Sequence, residues 1–395
     1  MDGAPIGPAT ANAAKASGAK ASGAKASGAK ASGAQASGAE AAAPDSTPAT
    51  ASDPSAAWPR RVTINDIARV TGVAASTVSR ALTRPGRVNP VTRARIEAAA
   101  RELNYVPNTQ ARALTSGQTE AIAVLVSDIT NPFYFPMIRG AQHQLKAAGY
   151  AHLLIDTEDS GHLEIHLLHK MRLTFDGAIL AASRLSEREL AAIADEIPIV
   201  TVNRNVRGVQ SVVVDSPAGI GQAAEHLISL GHRDIVYAAG PESSWANEAR
   251  WRAMKAAMAR HGLVARRIGP FPAARMSGSA AGDSLLNTGA TACIAFNDLL
   301  AIGILTRLLE RGVRVPADVS IVGCDDIFGA DFCHPPLTTV TAPIEQAGRM
   351  AVSMLLTRLS EGSAGAARQS VVLPTHLTVR ESTGLARTPK RRAAR

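Results

Sequence analysis

From Glu120 onward the chain alternates short apolar runs with longer amphipathic stretches, and that rhythm restricts the fold more than any other feature. The apolar runs span 121–126, 152–155, 177–180, 199–202, 212–214, 235–238, 293–295 and 320–322. Between them the spacing predicts helices at 135–148, 220–230, 245–261, 299–311 and 344–360. Strands that are apolar at consecutive positions are buried on both faces, which means parallel sheets covered by helices on either side. Eight such strands exceed one comfortable sheet, so two α/β lobes are expected, with a crevice at the carboxyl ends of the strands. Aromatic residues are only 4% of 395 while hydrophobic residues reach 46%, so the core must be aliphatic.

The segment before this body has a different character. Thr63 followed by Asp66 makes a capping-box-like start, with Ile64, Ile67 and Ala68 at helical spacing. Thr71-Gly72-Val73 is a tight turn, a second helix is expected over 75–82, and Asn89-Pro90 opens a third. In that third helix Ile96, Ala99, Ala100 and Leu103 form the inward stripe, and Asn104 closes it. Three short helices, two of them joined by a glycine turn, are the helix-turn-helix plan.

Charge follows the same division. The net charge is +9, but residues 58–116 alone carry ten arginines against Asp66, Glu97 and Glu102, and the last nine residues hold five basic groups and no acid. The body between is mildly acidic. A basic head and tail on a near-neutral body suit a nucleic-acid grip joined to a separate module. Within residues 1–58, Lys-Ala-Ser-Gly-Ala repeats with a period of five from Lys15, which matches neither helix nor strand, and the segment is read as a disordered leader. A translation start lying upstream of the functional one would leave the same signature, and weak DNA contact by the leader's lysines is the third reading. Cys293, Cys324 and Cys333 show no CxxC spacing and fit a reducing, cytoplasmic setting. No secretory signal and no membrane-spanning run are recognised.

The stretch Val62-Thr-Ile-Asn-Asp-Ile-Ala-Arg-Val-Thr-Gly-Val-Ala-Ala-Ser-Thr-Val-Ser-Arg80 resembles the head of the lactose/galactose repressor family of bacterial transcriptional regulators. So do Glu102-Leu-Asn-Tyr-Val-Pro-Asn108 and Ala111-Arg-Ala-Leu114. Further matches are Asp128-Ile-Thr-Asn-Pro-Phe133, Asp176-Gly177, Leu230-Gly-His-Arg233, Asn297-Asp298, Val322-Gly-Cys-Asp-Asp326 and Pro336-Leu-Thr-Thr339, all in the family's order. The resemblance implies an all-α helix-turn-helix head plus an α/β two-lobed, periplasmic-binding-protein-like core of parallel sheets flanked by helices. It implies a DNA-binding domain at 59–106, a hinge helix and linker at 107–118, an effector-binding core at 119–384 and a basic tail at 385–395. One lobe would take about 119–215 with 342–371, the other 216–341 with 372–384. The implied partners are near-palindromic double-stranded operator DNA, a small-molecule effector of the sugar type and a second copy of the chain in a homodimer. No membrane partner and no cofactor are implied.

By family position, Ala75, Ser76 and Arg80 would meet base edges in the major groove, and Thr63, Thr77 and Ser79 would touch phosphates or brace the second helix. Arginine suits guanine because it can bond O6 and N7 together. The plainer reading of Arg80 is a solvated arginine on a basic helix. Where the family has serine, Ala74 forfeits a hydroxyl cap, and Ala75 offers only a methyl; both bear on which operator is read. Asn108, Ala111 and Leu114 fall in the hinge, whose leucine would wedge into the minor groove, unless Leu114 is simply a small buried contact with the core.

For the effector, family position points to Asp128, Asn203, Arg250, Asn297 and Asp325 around one cleft, with Tyr134, Phe135 and Trp245 as apolar walls. Carboxylates, amides and an arginine suit hydroxyl groups, which both donate and accept. Asp325 as a structural acid, Asn297 as a helix cap and Trp245 as a core anchor are the competing readings. His162, His166 and His169 recur at i, i+4 and i+7 with Glu164 nearby, a spacing that could offer imidazoles to zinc. The adjacent stripe of Leu163, Leu167 and Met171 places them instead on a solvated flank, and no metal is expected. Gly219 and Gly221 lack the third glycine of a dinucleotide fingerprint. No nucleophile elbow, HExxH, Walker loop or paired-carboxylate motif is present, so no enzyme is expected. A solute-binding protein of a transport system would share the core but have no basic head.

Overall fold

The computed structural model describes residues 62–107, 117–361 and 370–387. It divides into two units, Met1–Leu103 and Asn104–Arg395, each described by itself.

The first unit is a three-helix head. Helix α1 (Ile64–Thr71) starts at a complete capping box: the Asp66 amide donates to the Thr63 hydroxyl and the Thr63 amide donates to the Asp66 carboxylate at 2.9 Å. It stops at Gly72, whose φ of 64° is a conformation that costs glycine little. Helix α2 (Ala75–Thr83) begins at Ala74, which offers no side-chain cap. Helix α3 (Pro90–Glu102) is capped by Asn89, whose side chain accepts from the Val91 amide at 2.9 Å, and Asn104 leaves it at φ 50°. Ile67, Val78 and Ile96 are wholly buried, with Ala81 and Ala99 beside them. So small a core leaves much of the head's stability to its helix ends.

The second unit holds two six-stranded sheets. The first contains β1 (Ala121–Val126), β2 (Ala151–Asp156), β3 (Gly177–Ala181), β4 (Ile199–Val202), β5 (Gln210–Val214) and β11 (Ser370–Leu373), in the order 11-5-4-3-1-2 and parallel throughout. The second contains β6 (Ile235–Ala238), β7 (Arg266–Ile268), β8 (Ala292–Ala295), β9 (Ser320–Cys324), β10 (Thr338–Thr341) and β12 (His376–Thr378), in the order 12-10-9-8-6-7; only β12 runs antiparallel. Strands β1, β3, β4 and β5 are buried at every position, as two-sided cover demands.

Helices α4 (Tyr134–Ala147), α5 (Gly161–Met171), α6 (Glu187–Glu196) and α11 (Ile344–Glu361) cover the first sheet. Helices α7 (Ser216–Ser229), α8 (Trp245–Arg260), α9 (Gly278–Thr288) and α10 (Asp298–Glu310) cover the second. Helices α4 and α11 pack backbone to backbone: a Cβ on Gly140 would lie 2.1 Å from the Glu345 carbonyl oxygen, and one on Gly348 would lie 2.2 Å from that of Met137. In each sheet the order reverses beside the first strand, between β1 and β3 and between β6 and β8, which opens a crevice at their carboxyl ends.

Strands β7, β10, β11 and β12 and helices α6 and α9 go beyond the segments expected from sequence. For β7, β10 and α9 the reason is compositional: Arg266-Arg267-Ile268 and Thr338-Thr339-Val340-Thr341 lack an apolar run, and α9 is rich in glycine and small residues. Among the described residues no helix is long and apolar enough to cross a membrane.

The bare start of α2 yields a test. Ala74→Ser should supply the missing cap and stabilise the head by about 1 kcal/mol, read as roughly fivefold slower hydrogen exchange of the α2 amides. Unchanged exchange would mean that Ala74 costs the head nothing.

Candidate DNA-binding head and ligand cleft

On α2, Val78 and Ala81 face the head's core while Ser76 and Arg80 are exposed; Ala75, Thr77 and Ser79 are half-buried. Arg80 folds back along its own helix, Nε donating to the Ser76 carbonyl at 3.1 Å and Nη2 to the Ser76 hydroxyl at 3.3 Å. These are exchangeable surface bonds, so the guanidinium is held one helical turn from the exposed Ser76 without being buried. Thr63 is exposed, and its hydroxyl donates to Asp66 at 2.7 Å within the capping box. Asn108, Ala111 and Leu114 lie outside the described residues.

In the core unit, one cleft between the two sheets is lined by Ser127, Asp128, Asn131, Phe133, Tyr134, Asp159, Ala182, Arg184, Asn203, Ser244, Ala246, Arg250, Ala273, Phe296, Asn297 and Asp325. Most of these residues sit just past a strand's carboxyl end. The backbone there is unusual: Asp159, Ala182, Asn203 and Asp325 all have positive φ, from 52° to 124°, and each lines the cleft. Such conformations cost energy in residues with a Cβ and persist where the surrounding structure holds them.

Six of the eight residues expected around an effector therefore meet here: Asp128, Tyr134, Asn203, Arg250, Asn297 and Asp325. The other two do not. Phe135 is half-exposed on an adjoining groove with Pro132, Arg139, Ile327 and Phe328, because one step along α4 turns it about 100° from Tyr134. Trp245 packs against the apolar core of the second lobe. The aromatic walls are instead Phe133, Tyr134 and Phe296. Phe133 and Tyr134 meet edge to face at 5.1 Å, and the Tyr134 hydroxyl lies 2.6 Å from that of Ser127. Burial pushes the Tyr134 phenol up to about 12.

Arg250 is the most committed group in the cleft. Only 3% exposed, it donates from Nε to Ser216 at 3.1 Å, from Nη1 to the Phe296 carbonyl and from Nη2 to Asp325 at 3.1 Å, and its guanidinium lies 5.0 Å from the centre of the Phe296 ring. Burial raises the Asp325 carboxyl, and Arg250 opposes that rise. Asn297 caps α10, accepting from the Leu300 amide at 3.0 Å, and its amide nitrogen donates to Ala273. Asn203 is 7% exposed and its Oδ1 is buried with no hydrogen-bond partner. Sequence reasoning missed Arg184, whose Nη2 donates to Asp159 at 2.8 Å. Its place four residues past the expected 177–180 strand was the one available signal. His162, His166 and His169 are exposed on α5, and among the described residues no three metal-binding side chains are grouped as a metal would need.

Behind the cleft, Asp298 is wholly buried at the first turn of α10. Its Oδ1 accepts from the Thr339 hydroxyl at 2.6 Å and its Oδ2 from the Ile327 amide at 2.9 Å, tying down the loop that carries Asp325. Gly323 leaves room for it, since a Cβ there would lie 2.0 Å from Asp298 Oδ1. Burial first, then the nearby Asp325, push the Asp298 carboxyl up to about 7. The folded chain thus holds a proton that the unfolded chain releases near its ordinary carboxylate value. Stability should fall as pH rises through the window from about 4 to about 7, by roughly 4 kcal/mol at the upper limit. Asp298→Asn should flatten the pH dependence of the thermal midpoint across that window; parallel profiles for the two proteins would refute the assignment.

Comparison with known proteins agrees with both halves of this geometry. The model of bacterial regulatory proteins of the lacI family matches residues 63–108, and that of the periplasmic binding protein-like domain matches 224–383. The HTH-type transcriptional regulator DegA of Bacillus subtilis (strain 168) is 32% identical over 333 residues, 82% of this chain and 98% of DegA. A crystal structure of the lac repressor dimer bound to operator and the anti-inducer ONPF superposes with a TM-score of 0.72 at 28% identity, covering 82% of this chain and all of that one. A LacI family transcriptional regulator from Enterococcus faecium with bound ribose gives 0.61 at 29% identity, covering 68% of this chain and all of that one. With a capped, arginine-rich helix-turn-helix head joined in one chain to a two-lobed α/β core, this protein belongs to the lacI family of bacterial DNA-binding transcriptional regulators.

Proposed function

We propose that the chain is a cytoplasmic, homodimeric repressor whose head (59–106) reads a near-palindromic operator and whose core (119–384) binds a sugar-like effector. The observation that carries the effector half is Asn203 Oδ1, an acceptor buried without a donor in a wall otherwise crowded with polar groups. A buried acceptor left bare costs ~1–3 kcal/mol, which a ligand hydroxyl would recover. The operator-bound lac repressor dimer and the ribose-bound relative from Enterococcus faecium support this reading by likeness. Nothing in the cleft resembles a catalytic constellation, which favours a regulator over an enzyme. The link between the two halves falls to residues 107–118, with Leu114 as the minor-groove wedge.

An operator selected by the chain from a random DNA pool supplies the test. Arg80→Ala should weaken binding to that operator by ~1–3 kcal/mol and relax preference at one symmetric base pair, with little effect on random DNA. Equal losses on both DNAs would reduce Arg80 to a phosphate contact. Asn203→Leu should abolish the ligand response and leave operator affinity near wild type; an intact response would remove the cleft from the mechanism. Leu114→Ala should reduce operator bending while leaving effector affinity unchanged, and normal bending would exclude the wedge.

A further inference from the structure

Every guanidinium nitrogen that reaches the cleft is already engaged by the protein. In the first lobe, Arg184 Nε and Nη2 donate to Asp159 Oδ1 at 3.1 and 2.8 Å, and Nη1 donates to the Ala182 carbonyl at 3.2 Å. In the second lobe, Arg250 distributes its three nitrogens over Ser216, Phe296 and Asp325. Both arginine side chains are nearly sealed from water, at 6% and 4% exposure. Each positive charge is therefore cancelled within its own lobe.

What remains on the wall is negative or accepting. Asp128 takes its hydrogen bonds from the Thr130 amide and hydroxyl, both on Oδ1, and among the described residues it has no ion-pair partner. Asn203 Oδ1 is the buried acceptor without a donor. The cleft thus sets Arg184 and Arg250 against Asp128, Asp159 and Asp325.

We propose that this cleft selects an uncharged effector presenting hydroxyl hydrogens and excludes acidic ligands such as sugar acids and sugar phosphates. The proposal rests on the cleft being the effector site. A hydroxyl can donate its hydrogen to Asp128 or Asn203, which an ionised acid group cannot do. An anion would enter beside Asp128 with no free cation to meet it. To recruit Arg184 it would have to displace Asp159, leaving one of two carboxylates without its counter-ion, and like charges brought together at a binding surface cost several kcal/mol. Asp159 is accordingly the residue that sets the charge preference. Its side chain is 39% exposed, and asparagine in its place keeps an amide oxygen that can accept from Arg184 while removing the charge that holds it.

Calorimetry on the full chain, with probes matched in all but charge, tests this. The pairs are ribose with ribonate and ribose 5-phosphate, and glucose with gluconate and glucose 6-phosphate, continued through the common aldoses and their acids. Binding should be confined to neutral members, each acid being at least about 100-fold weaker than its neutral match. Asp159→Asn should narrow that gap by strengthening the acid. An acid that binds as tightly as its neutral partner overturns the proposal, and so does a panel in which no neutral member binds. A gap that Asp159→Asn leaves unchanged overturns the role given to Asp159. Neutral binding that survives Asn203→Leu undiminished would instead sink the cleft as the effector site, a separate failure from that of the charge rule.

Discussion

A guanidinium sealed inside a protein must find an acceptor for each nitrogen, and meeting that demand at Arg250 organises the ligand-facing side of the second lobe. Its three bonds reach the start of α7 at Ser216, the end of β8 at Phe296 and the end of β9 at Asp325, while Arg250 itself stands on α8. Four elements are thereby drawn to one point. Removing any acceptor would leave a buried charge partly bare, so these ends cannot drift independently. The Asp298 bonds to Thr339 and Ile327 extend the same lattice to β10 and the loop beyond β9.

The first lobe repeats the device with different parts. Arg184 is held by Asp159 and the Ala182 carbonyl, and its backbone amide donates to the buried Glu164 carboxylate at 3.0 Å. Burial raises the Glu164 carboxyl, and the hydrogen bonds from Ser183 and Arg184 oppose that rise. Polar groups on both walls are thus fixed before any ligand arrives, so a bound molecule need not spend its own binding energy on ordering them. The positive φ values at Asp159, Ala182, Asn203 and Asp325 belong to the same economy: local strain is tolerated where packing around the cleft over-determines the backbone.

The head obeys another constraint. With Ile67, Val78 and Ile96 as its only wholly buried large side chains among the described residues, it cannot draw on the burial that supports the lobes. Its helices rely on local devices: the capping box at Thr63, the αL glycine at Gly72 and the Asn89-Pro90 start. Ala74 breaks that pattern at the very helix that would enter the groove.

Local rules decided much of this protein before any packing. Helix starts at Thr63 and Asn89 and stops at Gly72 and Asn104 are written in adjacent residues, and the two-sided burial of β1 and β3 is written in their unbroken apolar runs. The charge division between head and body is likewise a property of order along the chain. Strands such as β10 and β12 were not legible, because their threonines and histidine become strand only through a neighbour's hydrogen bonds. The cleft was legible in part. Family motifs pointed to Asp128, Asn203, Arg250 and Asp325, but which of two adjacent aromatics faces inward depends on how α4 is rotated against its sheet. That rotation turned Tyr134 in and Phe135 out, and the packing of α8 turned Trp245 toward the core. Arg184 and Asp159 are 25 positions apart, and nothing local marks them as a pair. Only the fold, by setting the carboxyl ends of β2 and β3 on either side of β1, could decide that one cancels the other's charge.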